Sequence, residues 1–175
     1  MIDYHCFRYA SAPRTGTTWF LQAAYQCLGI EGMKASVHLP HCCFDKLCVS
    51  VVRHPYDWLE SYYYVLQQGC IHVDCVDVFM KLNGKSFKTF LRSYLELMPG
   101  KVGSMFFAYQ ADCFLKLEDF PTAFSLLMDS FEISSREVLE LPKQNVRNRF
   151  VLKEAKKWRT AVEQAEKEMM DYFSY

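Results

Sequence analysis

The sequence predicts an α/β fold, a central parallel sheet flanked by helices, in a single domain spanning residues 1–175. Three observations carry that expectation. Phe7-Arg8-Tyr9-Ala10-Ser11-Ala12 reads as a short buried strand that passes through a proline- and glycine-containing loop into a helix. Leu47-Cys48-Val49-Ser50-Val51-Val52 is apolar and β-branched, as a buried parallel strand should be, and runs directly into a second helix opened by Pro55. The stretch from Gly16 to Arg53 has room for one helix and one returning strand, which is the crossover that parallel neighbours require.

Each further element follows from spacing. In the first helix Trp19, Phe20, Ala23, Ala24, Cys27 and Leu28 recur with helical period until Gly29 stops the pattern. Pro55 suits the first turn of the second helix and Asp57 its positive end, and Asp57 and Ser61, four apart, share a face. Phe87, Phe90, Leu91, Tyr94 and Leu95 define an amphipathic helix ended by Pro99-Gly100. Cys113–Asp119 reads as a further strand. From Leu152 to Tyr172 a last helix carries Leu152, Ala155, Val162, Ala165, Met169 and Tyr172 on one side and Lys/Glu on the other.

Composition narrows the class. At 175 residues and 51% hydrophobic the chain can bury a real core, and no segment is long and apolar enough to cross a membrane. Residues 1–20 carry Asp3, Arg8 and Arg14 without a continuous apolar stretch, so neither a signal peptide nor an anchor is expected, and the expected location is cytoplasmic. Twenty Lys+Arg against twenty Asp+Glu give a formal net charge of zero, which argues against broad nucleic-acid binding. Without a secretory signal, the eight cysteines read as reduced thiols. His38, His41, Cys42, Cys43 and Cys48 form the only metal-like cluster, but no second pair has C-x-x-C spacing, and no metal is expected.

The chemistry concentrates in Ala12-Pro13-Arg14-Thr15-Gly16-Thr17-Thr18-Trp19, where a cation, a glycine turn and hydroxyls meet the start of a helix. A loop of small residues lets backbone N–H groups converge on anionic oxygens, and the helix dipole adds to the attraction. The segment is not a nucleotide-triphosphatase loop: Ser11 stands where G-x-x-x-x-G-K-[ST] has its first glycine, and Thr17 where it has its lysine. A second anion site is expected at Arg53, at the carboxyl end of its strand, together with Ser61. Two such sites joined by a strand–helix–strand unit imply a ligand with two phosphate-like ends.

Pro13–Trp19 resembles the 5′-phosphosulfate loop of the sulfotransferases, Pro-[Lys/Arg]-[Ser/Thr]-Gly-Thr-Thr-Trp. Arg53-His54-Pro55-Tyr56-Asp57-Trp58-Leu59-Glu60-Ser61-Tyr62-Tyr63 resembles that family's 3′-phosphate motif, Arg-x-Pro-x-Asp-x-x-x-Ser-x-Tyr, at every fixed position. The resemblance implies a P-loop-like three-layer fold and 3′-phosphoadenosine-5′-phosphosulfate (PAPS) as donor, with no metal. It also implies that Arg14, Thr15, Gly16, Thr17, Thr18, Trp19, Arg53 and Ser61 bind the donor. His38-Leu39-Pro40 resembles the His-Leu-Pro of cytosolic members, which implies that His38 accepts the acceptor's proton beside Arg14 at the leaving oxygen; an imidazole titrates in the right range for that. His41 and a carboxylate are competing bases. The preceding lysine of cytosolic members is Ser36 here, with Lys34 and Lys46 as substitutes.

Leu117-Glu118-Asp119-Phe120 resembles the family's Tyr-Glu-Asp-[Leu/Met], with Leu117 in place of the tyrosine that lies against adenine. Adenine recognition then falls to Trp19, which equally suits ordinary core packing. The terminal Arg-Lys-Gly-x-x-Gly motif is missing, and Lys143, Arg147 and Arg149 stand in its place, either closing on the 3′-phosphate or simply solvated. The ending Asp171–Tyr175 resembles the family's terminal region and implies a complete chain. The expected activity is transfer of a sulfuryl group to a hydroxyl or amine of a small-molecule or carbohydrate acceptor. A PAPS-binding module without catalysis and a kinase-like phosphotransferase are the alternatives. Residues 67–109 carry no chemistry that names the acceptor.

Overall fold

A computed structural model describes residues 2–4, 6–29, 46–69, 86–141 and 154–175. They fall into two compact units, Met1–Arg53 with Ala108–Arg147, and His54–Phe107 with Asn148–Tyr175.

The first unit holds an open four-stranded sheet in the order β1 (Ile2–Asp3), β2 (Phe7–Ala10), β3 (Leu47–Val52) and β4 (Cys113–Lys116). β2, β3 and β4 run parallel, and β1 pairs antiparallel to β2 through Ile2 and Tyr9. The fold is therefore α/β with a mostly parallel sheet. The two residues of β1 are too few to show a period, which is why the sequence pattern does not reveal them. Val52 pairs with Lys116, so β3 and β4 end level with one another, and Ala10 pairs with Ser50, so β2 stops two residues earlier along the same edge. The loop after Ala10, Arg53 after β3 and Leu117 after β4 consequently leave at one carboxyl edge, the edge where parallel α/β sheets gather ligands.

Helix α1 (Thr17–Leu28) follows β2 and buries Trp19, Phe20, Ala23 and Ala24. Gly29 ends it in a left-handed conformation (φ 65°) and donates its N–H to Tyr25 O at 2.8 Å, the stop that the sequence announces. Phe20 is the hub of the core: Tyr9 lies flat on it at 3.7 Å, and Phe124 meets it edge-on at 5.2 Å. Past β4 a 3-10 turn (Leu117–Asp119) leads into helix Phe120–Asp129, which packs Phe120, Phe124 and Met128 into the same cluster.

In the second unit helix α2 (Pro55–Gln67) opens on His54, whose Nδ1 accepts the Tyr56 N–H at 3.3 Å. Helix α3 (Phe87–Leu97) is capped by Ser86 and buries Phe87, Phe90, Leu91 and Tyr94, the stripe expected of it. Helix α4 (Lys101–Phe107) follows Pro99-Gly100. The last helix departs from expectation: it is two helices, Ala155–Ala165 and Lys167–Tyr172, with non-helical backbone at Glu166. The buried series is Val162, Glu166, Met169 and Phe173, whereas Tyr172 is 65% exposed. One uninterrupted period predicts the wrong final aromatic because it counts Glu166 as a surface residue. No described helix is long and apolar enough to cross a membrane.

Candidate anion-binding loop

The loop between β2 and α1 turns sharply. Arg14 (φ 63°) and Gly16 (φ 77°) both take left-handed backbone, costly for an arginine and natural for a glycine. A Cβ at Gly16 would also lie 2.5 Å from Cδ1 of Leu117, so the tip of that side chain would have to shift. Thr15 is fully buried and donates its hydroxyl to Ala12 O at 2.7 Å, holding the turn from inside. Its side chain thus builds the loop rather than facing a ligand. Gly16, the residue that caps α1, brings no side chain of its own to that end of the helix.

Thr17 is half-buried and Thr18 exposed at the first turn of α1. Ser11, sealed beneath the loop, shares a 2.6 Å hydrogen bond between its Oγ and Thr17 Oγ1. Below both, on β2, lies Tyr9. Burial pushes its phenol up, an effect opposed by the nearby hydroxyls of Thr17, Ser11 and Thr15. Those three hydroxyls stand within hydrogen-bonding reach of the phenol, yet none meets its oxygen in hydrogen-bond geometry.

Arg53 joins the loop from the neighbouring strand, with Nη1 donating to the Arg14 carbonyl at 3.4 Å, the long end of the hydrogen-bond range. The arginines of the two sequence motifs therefore meet at one sheet edge. Trp19 is 4% exposed, with its ring 4.6 Å from that of Phe120 and its Nε1 enclosed without an acceptor. It packs as a core residue. Leu117 lies against Gly16.

Ser61 lies on α2 in the second unit, four residues after Asp57. Asp57 is occupied: Arg159 donates Nη1 and Nη2 to its two carboxylate oxygens at 3.2 and 3.4 Å. Arg159 Nε also reaches Glu163 Oε1 at 3.2 Å, and the same oxygen lies 3.1 Å from His54 Nε2. Because Nδ1 of His54 accepts a backbone N–H, the ring proton sits on Nε2 and is donated to Glu163. Local spacing suggests only a helix-dipole role for Asp57; Arg159 and Glu163, about a hundred residues later, carry no local signal of this pairing.

His38, His41, Lys34, Ser36, Cys42, Cys43, Lys143, Arg147 and Arg149 lie outside the described residues. Among the described residues no three His, Cys, Asp or Glu side chains gather where a metal could be held, and Cys6, Cys27, Cys48 and Cys113 are not joined in disulfides. The chain matches no model of a known protein family and no curated protein.

Proposed function

We propose that the chain is a PAPS-dependent sulfotransferase with a P-loop-like three-layer fold. The observation that supports this best is the convergence of Arg53 on the Arg14 carbonyl, since it joins at one sheet edge two motifs that are 39 residues apart in sequence. In this reading Arg14, Gly16, Thr17 and Thr18, with the loop amides, hold the 5′-phosphosulfate. Arg53 takes the 3′-phosphate, with Ser61 assigned to it on the motif alone.

Transfer then needs one displacement. The acceptor oxygen attacks sulfur, the bond from sulfur to the bridging oxygen of the 5′-phosphate breaks, and the 3′,5′-bisphosphate leaves. The acceptor's proton passes to His38, while Arg14 stabilises the charge growing on the bridging oxygen. A sulfuryl group carries less negative charge than a phosphoryl group, so arginine and amide donors suffice for the electrostatic work. The acceptor is a small hydroxyl or amine compound or an exposed sugar.

The test is calorimetric titration with PAPS, with the 3′,5′-bisphosphate and with ATP–Mg²⁺, followed by transfer of labelled sulfuryl to an acceptor panel in EDTA. Binding of the first two ligands with EDTA-resistant transfer supports the reading. Binding without transfer supports the non-catalytic module, and a magnesium requirement with ATP preferred supports a kinase. On a confirmed acceptor, His38→Ala should cost about 10²–10⁴ in kcat, with His41→Ala as the matched control.

A further inference from the structure

The Tyr9 hydroxyl is a buried donor with no acceptor, a state that native proteins seldom leave in place without a use. It lies among the hydroxyls of the anion loop. Tyr9 and Ser11 are two apart along an extended segment, and the Tyr9 ring lies flat on Phe20, one turn beyond Thr17 in α1. From Tyr9 (0% exposed) through Ser11 (1%) to the half-buried Thr17, the hydroxyls form a path from the core to the mouth of the loop.

A bonded pair of hydroxyls such as Ser11–Thr17 has two polarities, because either oxygen can donate. If Thr17 donates inward to Ser11, its oxygen faces the loop mouth with lone pairs only and repels an anion. If Ser11 donates to Thr17, the Thr17 proton is free to point outward. A third donor reaching the pair from below favours the second arrangement, since it occupies inner lone pairs and leaves the outermost proton without an internal acceptor.

We propose that Tyr9 is a positioning residue of the donor site: on anion binding its hydroxyl donates into the Ser11–Thr17 pair and sets that pair's polarity so that Thr17 donates to the bound oxyanion. This rests on the donor reading above. Tyr9 touches no ligand, and the protons move only by hydroxyl rotation, with no covalent bond made or broken. The Tyr9 hydroxyl is without an acceptor in the ligand-free chain and gains one when the loop is filled.

The test is a double-mutant cycle read by calorimetry with the 3′,5′-bisphosphate and by urea midpoints of the ligand-free chain. Tyr9→Phe should weaken binding about 3- to 10-fold, the usual range for one neutral hydrogen bond, without lowering the urea midpoint. Thr17→Val should weaken binding about tenfold, and adding Tyr9→Phe to it should cost nothing more, because Tyr9 acts through Thr17. Ser11→Ala, which removes the bridge, is the second route to the same loss. Three results overturn the relay: unchanged affinity in Tyr9→Phe, a Tyr9→Phe loss that persists in the Thr17→Val background, or a lowered midpoint with unchanged affinity. A wild-type chain that binds no bisphosphate overturns the donor reading and the relay with it, whereas wild-type binding that Tyr9→Phe leaves intact overturns the relay alone.

Discussion

The starts of two helices in this molecule handle the same electrostatic problem in opposite ways. At the start of α4 the exposed ends of the backbone dipoles meet an acceptor supplied by the chain itself. The buried Glu166 carboxylate accepts the Gly103 N–H at 2.7 Å, the Val102 N–H at 3.3 Å and the Tyr94 hydroxyl. At the start of α1 the capping residue is a glycine with no side chain, two left-handed residues shape the turn, an arginine arrives from the adjacent strand, and a phenol beneath has no acceptor. The contrast separates scaffold from site. A helix end that carries its own carboxylate is complete, while one that gathers donors around a glycine-capped first turn suits an anion from outside.

The largest effect expected from breaking this contrast is on the scaffold side. Glu166→Ala strands the Tyr94 hydroxyl proton and the Gly103 N–H in the interior, while the Val102 N–H keeps the Tyr94 oxygen as acceptor, and at about 1–3 kcal/mol per unsatisfied buried group it should lower unfolding free energy by about 2–6 kcal/mol. Urea unfolding measures this, and a loss under about 1 kcal/mol, the lower end for a single such group, would mean that the carboxylate does not anchor this helix start. Gly103→Ala should share the direction, because its Cβ would sit 3.1 Å from Glu166 Oε2 and 3.0 Å from Met169 Cβ.

On the site side, Gly16→Ala imposes a left-handed alanine and a contact with Leu117, so a cost of about 1–2 kcal/mol in stability is expected. Affinity for the bisphosphate should fall by more than about tenfold, because the amides it displaces are the ones that would hold the anion. Leu117→Ala in the same chain relieves the contact but not the backbone strain, so rescue should be partial. Full rescue would locate the whole effect in Leu117.

How much was legible in the sequence follows from this division. The strand–loop–helix at 7–28, the strand at 47–52 and the stripe Phe87, Phe90, Leu91 and Tyr94 were readable because each is a local pattern with a period or a stop signal. The two arginines were readable as motif positions, and the parallel register of β2 and β3 accounts for their meeting. Tyr9 was legible only as a core aromatic, since burial and aromaticity say nothing of where the hydroxyl points. Glu166 was hidden because its partners, Tyr94, Val102 and Gly103, are more than sixty residues away. Asp57–Arg159 escaped notice for the same reason. In each case the missing information is a pairing between distant segments, which a linear pattern cannot encode.

The smallest effect sharpens the comparison by pH. Burial is the main cause that raises the Glu166 carboxyl above its ordinary value, against the hydrogen bonds of Tyr94, Gly103, Val102 and Gly100, which favour the charged form. A carboxyl raised on folding holds its proton longer in the native than in the unfolded chain. Its contribution is therefore complete below the ordinary glutamate range and lost as pH rises through the native value. Glu166→Gln removes this titration, so the difference in urea midpoint between wild type and variant should shift with pH across that window. A constant difference would mean that folding does not raise this carboxyl.

The most direct test of the donor site itself is the Arg53→Ala variant titrated with two ligands, the 3′,5′-bisphosphate of adenosine and adenosine 5′-phosphosulfate, which lacks the 3′-phosphate. A charged contact of about 1.5–3 kcal/mol corresponds to roughly ten- to over a hundred-fold in Kd. A loss of that size is expected for the bisphosphate, with little change for the phosphosulfate. Equal losses for both ligands, or none for either, would contradict the assignment of Arg53 to the 3′-phosphate.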